Sequence, residues 1–182
     1  DFYNVGTYQE KLALLYQEED SFDKAIAEYE TAIEYYDASE MEASSMRCKL
    51  QVGDLSSIQG YYDKALTIFK SLAIQCLDGG TLKYLVTRYI FKACIVSILL
   101  CDTVSTMRLL EEFINLDYSF VNSPERKLLS KIIEAYREPD VELFTLAVTD
   151  FNHFHKLDNW HVTLLLRIKT NILETNDKHS LL

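Results

Sequence analysis

Histidines, cysteines and neighbouring carboxylates are the side chains of this 182-residue sequence that could carry reaction chemistry. His153 and His155 form an H-x-H pair, the kind of spacing a metal ion can use when both rings point the same way. On a helix the two lie about 200° apart, so they are expected to hold no common ion. His161 follows Asp158 by three residues, which suits capping or surface decoration. Glu111-Glu112 and Glu18-Glu19-Asp20 fall at helix ends and read as solvated faces rather than general acids or bases. Cys48, Cys76, Cys94 and Cys101 have no C-x-x-C spacing and are expected to be reduced core thiols of a cytosolic protein. No phosphate-loop, nucleophile-elbow or H-E-x-x-H pattern occurs, and Gly79-Gly80 lacks the strand that should precede a phosphate loop. The sequence therefore points away from an enzyme, with no catalytic residue, no metal ligand and no cofactor assigned.

The elements that carry these residues are legible in the composition. Apolar residues make up 48%, with only 5 Gly and 2 Pro, which disfavours disorder and leaves little material for tight β-turns. Helices follow. The net charge of −10 is uneven: residues 1–46 hold 12 acids and 2 bases, and the remainder balances to zero. Without a basic surplus, a general nucleic-acid binder is excluded. No apolar run approaches the roughly 18 residues needed to cross a bilayer; Ala93–Leu100 reads as a buried helix segment. The chain begins Asp1-Phe2-Tyr3-Asn4, without Met, and is expected to start inside a longer or processed protein.

A repeat organises the helices. Phe22-Asp23-Lys24-Ala25-Ile26-Ala27-Glu28-Tyr29 recurs forty residues later as Tyr62-Asp63-Lys64-Ala65-Leu66-Thr67-Ile68-Phe69. Twelve residues before each alanine stands another small residue, Ala13 or Gly53. Ala93 and Ser105 with Leu109 form a third set, and Ala135 and Ala147 with Phe151 a fourth. Small residues let paired axes approach, and the bulky one a turn later fills the groove beside them. This is the layout of tetratricopeptide-type hairpins, at a period near 40 rather than about 34. The pattern predicts helices over 3–18, 22–37, 42–58, 61–77, 82–100, 103–115, 124–137, 140–155 and 158–174. Asp20 or Ser21 should cap the second, Gly60 should end the third, and Asp78-Gly79-Gly80 should turn the chain. Ser123-Pro124 should open the seventh, Pro139 close it, and Asp158 cap the last. The fold class is thus all-α: hairpins over residues 1–120 lead into a helical bundle and tail over 121–182, as one cooperative unit. Such a solenoid is a binding surface.

Particular residues then point further. Leu157-Asp158-Asn159-Trp160, followed by Thr163-Leu164-Leu165-Leu166-Arg167-Ile168-Lys169, resembles the C-terminal signature of the α-type soluble NSF attachment proteins. Other pieces agree in order: Asp23 to Glu30 with Tyr35-Tyr36, Arg47-Cys48, Gln59-Gly60-Tyr61, Leu82-Lys83-Tyr84, Tyr89 to Ala93, Ser123-Pro124-Glu125 and Glu134-Ala135. The likeness covers nearly the whole chain. It implies a non-enzymatic adaptor that coats the SNARE four-helix bundle left by membrane fusion and recruits and stimulates the AAA+ ATPase NSF. It also implies a cytoplasmic, peripherally membrane-associated protein. The family's N-terminal hairpins and membrane-touching loop would precede Asp1.

The resemblance also assigns residues. Arg47, Lys49 and Arg88 would meet the acidic SNARE surface, although family lysines fall here on Gly6, Gln51 and Thr87. Asp102, Glu134 and Glu138 would meet the basic N-domain of the ATPase, with Arg137 reversing one family charge. Leu181 takes the place of a penultimate leucine that stimulates ATPase activity. Read without the resemblance, the periodicity equally fits a tetratricopeptide-type scaffold for another peptide or protein.

Overall fold

The computed structural model describes residues 1–79, 83–100 and 102–180. Among the described residues every regular element is helical. In chain order they are α1 (Phe2–Glu18), α2 (Phe22–Ala38), α3 (Glu42–Ile58), α4 (Tyr62–Gly79), α5 (Lys83–Leu99) and α6 (Thr103–Leu116). A 3₁₀ turn (Tyr118–Asn122) leads to α7 (Pro124–Arg137), α8 (Val141–Phe154) and α9 (Asn159–Ser180). The expected helices stand in their expected places, as helical hairpins. The 3₁₀ turn had no periodic signal, and α9 runs six residues further than the apolar pattern, through a polar stretch whose Lys178 has a helix propensity close to that of an apolar leucine.

The chain forms two compact units, Asp1–Leu72 and Ala73–Leu182. In the first, the core gathers Ala13, Ala25, Ile26, Tyr29, Ala32, Tyr36, Cys48, Val52 and Leu55. Ala13 and Ala25, the paired small residues, are fully buried, and Tyr29 one turn on is 3% exposed. The second pair is tighter. A Cβ on Gly53 would lie 2.7 Å from Cε1 of Phe69, a fully buried ring, so only glycine admits that side chain. Small and bulky residues thus interlock as the repeat requires.

The second unit is built around α5, which touches α6, α7 and α9. Residues 89–99 are buried throughout, as a helix without a polar face must be. The third repeat set departs from expectation. Ser105 is exposed and donates to Asp102; Thr106 takes the buried position and shares a 2.7 Å hydrogen bond with Ser97. In the fourth, Ala135 and Ala147 are both buried.

Caps explain most boundaries. Ser123 Oγ accepts from Arg126 N–H at 3.1 Å, with Pro124 at the first helical position. Asp140 accepts from Leu143 N–H and Asp158 from His161 N–H. Gly60, at φ +84°, ends α3. Asp20 does not cap α2: at φ 56° it is the left-handed residue that closes α1, as Glu40 is after α2. Ser21 occupies the cap position of α2 without a side-chain bond. The turn expected from Asp78 is also displaced, because α4 continues through Gly79; Gly80 lies outside the described residues.

Candidate functional site

Two of the residues singled out for acidic partners, Arg47 and Lys49, are held in ion pairs with acids of the first hairpin. Arg47, on α3, reaches α1, where Nε and Nη2 donate to the two oxygens of Glu10 at 2.8 and 2.9 Å. Tyr36 Oη donates to Glu10 Oε2 at 2.6 Å. The Arg47 guanidinium holds the Glu10 carboxyl below the usual glutamate range, against the upward push of burial, and Tyr36 assists. Glu10 in turn raises the Tyr36 hydroxyl, whose shift comes first from burial. Gly6 makes room for this arrangement, since a Cβ there would lie 3.1 Å from the Tyr36 ring. Cys48 beside it is pushed up to about 12, by burial first and then by the Glu10 charge.

Two further cations of the first unit also meet acids of the first hairpin. Lys49 Nζ lies 3.6 Å from Asp37, and Lys64 Nζ pairs with Glu30. Tyr61 Oη donates to Asp23 at 3.0 Å. The acid excess of residues 1–46, which had no account in the sequence, is therefore partly spent on the cations of α3 and α4. Each pair is partly exposed and individually weak, and together they link the first hairpin to α3 and α4. Arg47 and Lys49, two residues apart on α3, turn to different partners and do not converge on one point.

In the second unit Arg88 is exposed on α5 and lines a cavity of about 340 Å³ with Phe91, Phe151, Lys156 and His161. Asp102 is the N-cap of α6: its carboxylate accepts from Ser105 N–H at 2.8 Å and from the Ser105 hydroxyl, which holds it below the usual aspartate range. Glu134 and Glu138 are exposed one turn apart on and just after α7. They share the rim of a groove of about 330 Å³ between α6 and α7, floored by Leu110, Ile114 and Ile133. Glu111 joins them there. Arg126 and Arg137 also line it, and Arg137 Nη1 lies 3.9 Å from the sulfur of Met107. Asp102 is not among the residues lining this groove, so the three acids are not gathered in one place. Leu181 lies outside the described residues.

The signature around Trp160 proves to be architectural. Asp158 Oδ1 accepts from both the backbone N–H and Nδ1 of His161, at 3.0 and 2.6 Å. His161 is only 8% exposed and stacks on Phe91, with centroids 5.2 Å apart. It is a core residue, not surface decoration. Trp160 is buried too, and the ammonium of Lys92, 1% exposed, sits 4.2 Å from its ring centroid. Lys92 was overlooked in the sequence, although a lone lysine inside the apolar run 89–99 was itself a signal. Glu10 carried no signal, because its partner is 37 residues away. His153 and His155 pack against Phe154 and Phe151 respectively. Among the described residues no three His, Cys, Asp or Glu side chains cluster as metal ligands, and no helix is long and apolar enough to cross a membrane.

Comparison with known proteins gives these observations a frame. The profile of the family described as "Soluble NSF attachment protein, SNAP" matches residues 1–173. The α-soluble NSF attachment protein of Dictyostelium discoideum is 34% identical over 165 residues, covering 91% of this chain and 57% of that protein. The bovine β-soluble NSF attachment protein is 36% identical over 150 residues, 82% of this chain and 50% of its own length. A probable vesicular-fusion protein sec17 homolog of Schizosaccharomyces pombe is 30% identical over 178 residues, 97% of this chain and 62% of its own. The chain thus spans between half and two thirds of the length of these relatives. With the family profile matched along almost all of its helices, the chain belongs to the soluble NSF attachment protein family.

Proposed function

We propose that this chain acts as an adaptor in SNARE disassembly. It lies against the assembled SNARE four-helix bundle and recruits and stimulates the AAA+ ATPase NSF, without hydrolysing a nucleotide itself. The observation that carries this reading is the family match over residues 1–173. Its organisation on this reading is a run of hairpins over 1–120 that leads into a terminal bundle over 121–182. Arg47, Lys49 and Arg88 meet the acidic bundle; Asp102, Glu134, Glu138 and Leu181 meet the ATPase. The protein works in the cytoplasm, and its peripheral attachment to membranes runs through the N-terminal region of the longer family members.

The ion pairs support a particular mode of recognition. An acidic helical bundle offers Arg47 and Lys49 the same carboxylate chemistry as Glu10 and Asp37, so binding is an exchange of partners at half-exposed cations. Exchange of this kind has a modest net energy and a strong dependence on ionic strength. At the other site the α6–α7 groove joins an apolar floor to the Glu134–Glu138 rim, which suits a basic surface carrying one apolar anchor.

The test is a pull-down with assembled SNARE complex and, separately, with the ATPase N-domain, each at low and at high salt. Salt-sensitive binding to both is expected. Binding to neither refutes the adaptor reading and leaves an unrelated tetratricopeptide-type ligand. Leu181→Ala should preserve both interactions and lower ATPase stimulation; unchanged stimulation would remove the tail from the mechanism.

A further inference from the structure

The cavity beside Arg88 has a chemistry that adaptor binding does not use. Its floor is aromatic, with Phe91, Phe151 and the buried ring of His161. Two exposed cations, Arg88 and Lys156, stand on its rim. The state of His161 is set by its neighbours. Asp158, a carboxylate that can only accept, takes the hydrogen of Nδ1 at 2.6 Å. Burial pushes the imidazole down towards neutrality, and Lys92 and Arg88 add to this against the pull of Asp158. The neutral ring therefore carries its proton on Nδ1 and leaves Nε2 as an acceptor, buried and with no partner in the protein. The cavity thus suits a group that donates a hydrogen bond to a nitrogen and offers negative oxygens to the guanidinium and ammonium that line it.

We propose that the cavity lined by α5, α7, α8, α9 and the segment joining α8 to α9 binds a phosphate group, through Arg88 and Lys156, with a P–OH donated to Nε2 of His161. A monoprotonated phosphate or phosphomonoester carries both the donor and the anionic oxygens. The aromatic floor excludes water on one side and strengthens these contacts. Two acids also line the cavity. Asp158 is engaged by His161 and by the N-terminus of α9, while Glu125, half-buried on the α7 side, opposes an anion and sets the sign of one test. The remaining ionisable groups facing His161 are His155, on the same wall, and Tyr84 at the mouth. The inference does not depend on the adaptor reading. Arg88 is common to both, but Lys156 is not.

The experiment follows the histidine ring signals of the full 182-residue chain by NMR, at low ionic strength, while inorganic phosphate is added. Phosphate should shift the His161 ring resonances, and the shift should saturate. Lys156→Gln and Arg88→Gln should each weaken the response about tenfold, as expected for losing one charge-assisted contact, and Glu125→Gln should strengthen it. Both cations are exposed, so neither variant should unfold the chain. A parallel flotation assay uses phosphatidylcholine vesicles with and without a small fraction of phosphatidylinositol 4-phosphate. Capture by the phosphoinositide vesicles alone, lost in Lys156→Gln and competed by inorganic phosphate, supports the site with a lipid headgroup as source. A response to inorganic phosphate without vesicle capture supports it with a soluble source. The proposal is overturned if phosphate leaves His161 unmoved, if the two cation variants respond like the parent, or if tetramethylammonium, a cation, produces the same shift. SNARE binding without a phosphate response discards this inference alone; a phosphate response without SNARE binding discards only the adaptor reading.

Discussion

Replacing Glu10 by Gln isolates the ion pair on which the SNARE-facing assignment of Arg47 turns. The amide keeps the shape and still accepts from Tyr36, but it removes the charge to which Nε and Nη2 of Arg47 donate. The side chains are 54% exposed for Arg47 and 22% for Glu10, so solvent screens much of the attraction. A half-exposed pair contributes up to about 1 kcal/mol, and weakening the Tyr36 bond adds a few tenths. A loss of about 1 kcal/mol lowers the melting temperature of a chain this size by roughly 2–4 °C. The pH dependence has a definite sign. Arg47 depresses the folded Glu10 carboxyl below its unfolded value, so the stabilisation is fully present above the ordinary glutamate value of about 4.3. It is lost as pH falls through the folded value. Paired thermal or urea melts of parent and variant should therefore differ by about 1 kcal/mol at pH 7 and converge once pH falls below the folded value of the Glu10 carboxyl. In the same variant Arg47 has no competing carboxylate, so affinity for assembled SNARE complex should rise a few-fold at low salt. Equal stability at pH 7, or a difference that persists when the carboxyl is protonated, would refute the argument that this charge pair is what couples α1 to α3.

Three other substitutions probe different parts of the chain. Gly53→Ala puts a methyl 2.7 Å from Phe69 and should destabilise by about 1–2 kcal/mol in a urea melt, overpacking outweighing the roughly 1 kcal/mol helix gain; an unchanged or raised midpoint would show the ring free to move. Asp158→Ala removes both the α9 cap and the partner of buried His161, at a cost of about 1–3 kcal/mol by chemical denaturation, and a cost near zero would show the signature to be dispensable for folding. Glu134→Lys combined with Glu138→Lys should leave the melting temperature nearly unchanged, since both side chains are exposed, and weaken binding of the ATPase N-domain about tenfold or more in a titration; retained affinity would move that contact elsewhere.

The helices were legible because each decision was local. Ser123-Pro124, Gly60 and Asp158 act within one turn of where they stand, and apolar spacing along a helix reports its buried face whatever that face meets. Ala13 with Ala25 and Gly53 with Phe69 were also legible, since close packing needs a small residue wherever two axes cross, and a repeat places that crossing at fixed spacing. Asp20 escaped because a cap and a left-handed helix end draw on the same residue types. Ser105 and Thr106 exchanged roles because both are small and polar and only the neighbouring Ser97 distinguishes them.

What the sequence by itself determined, then, is an all-α chain of hairpins with an acidic first pair and the signature of its family. Only the tertiary structure decided what the charges do. Glu10 meets Arg47, Asp37 meets Lys49 and Glu30 meets Lys64 across distances in sequence that no periodicity encodes, and a charge alone does not reveal whether it faces a partner or a neighbouring helix. The same holds for Lys92 under Trp160 and for the unpartnered nitrogen of His161. A side chain's polarity is written in its identity, but its desolvation, and so its energy, is set by which other helices close over it.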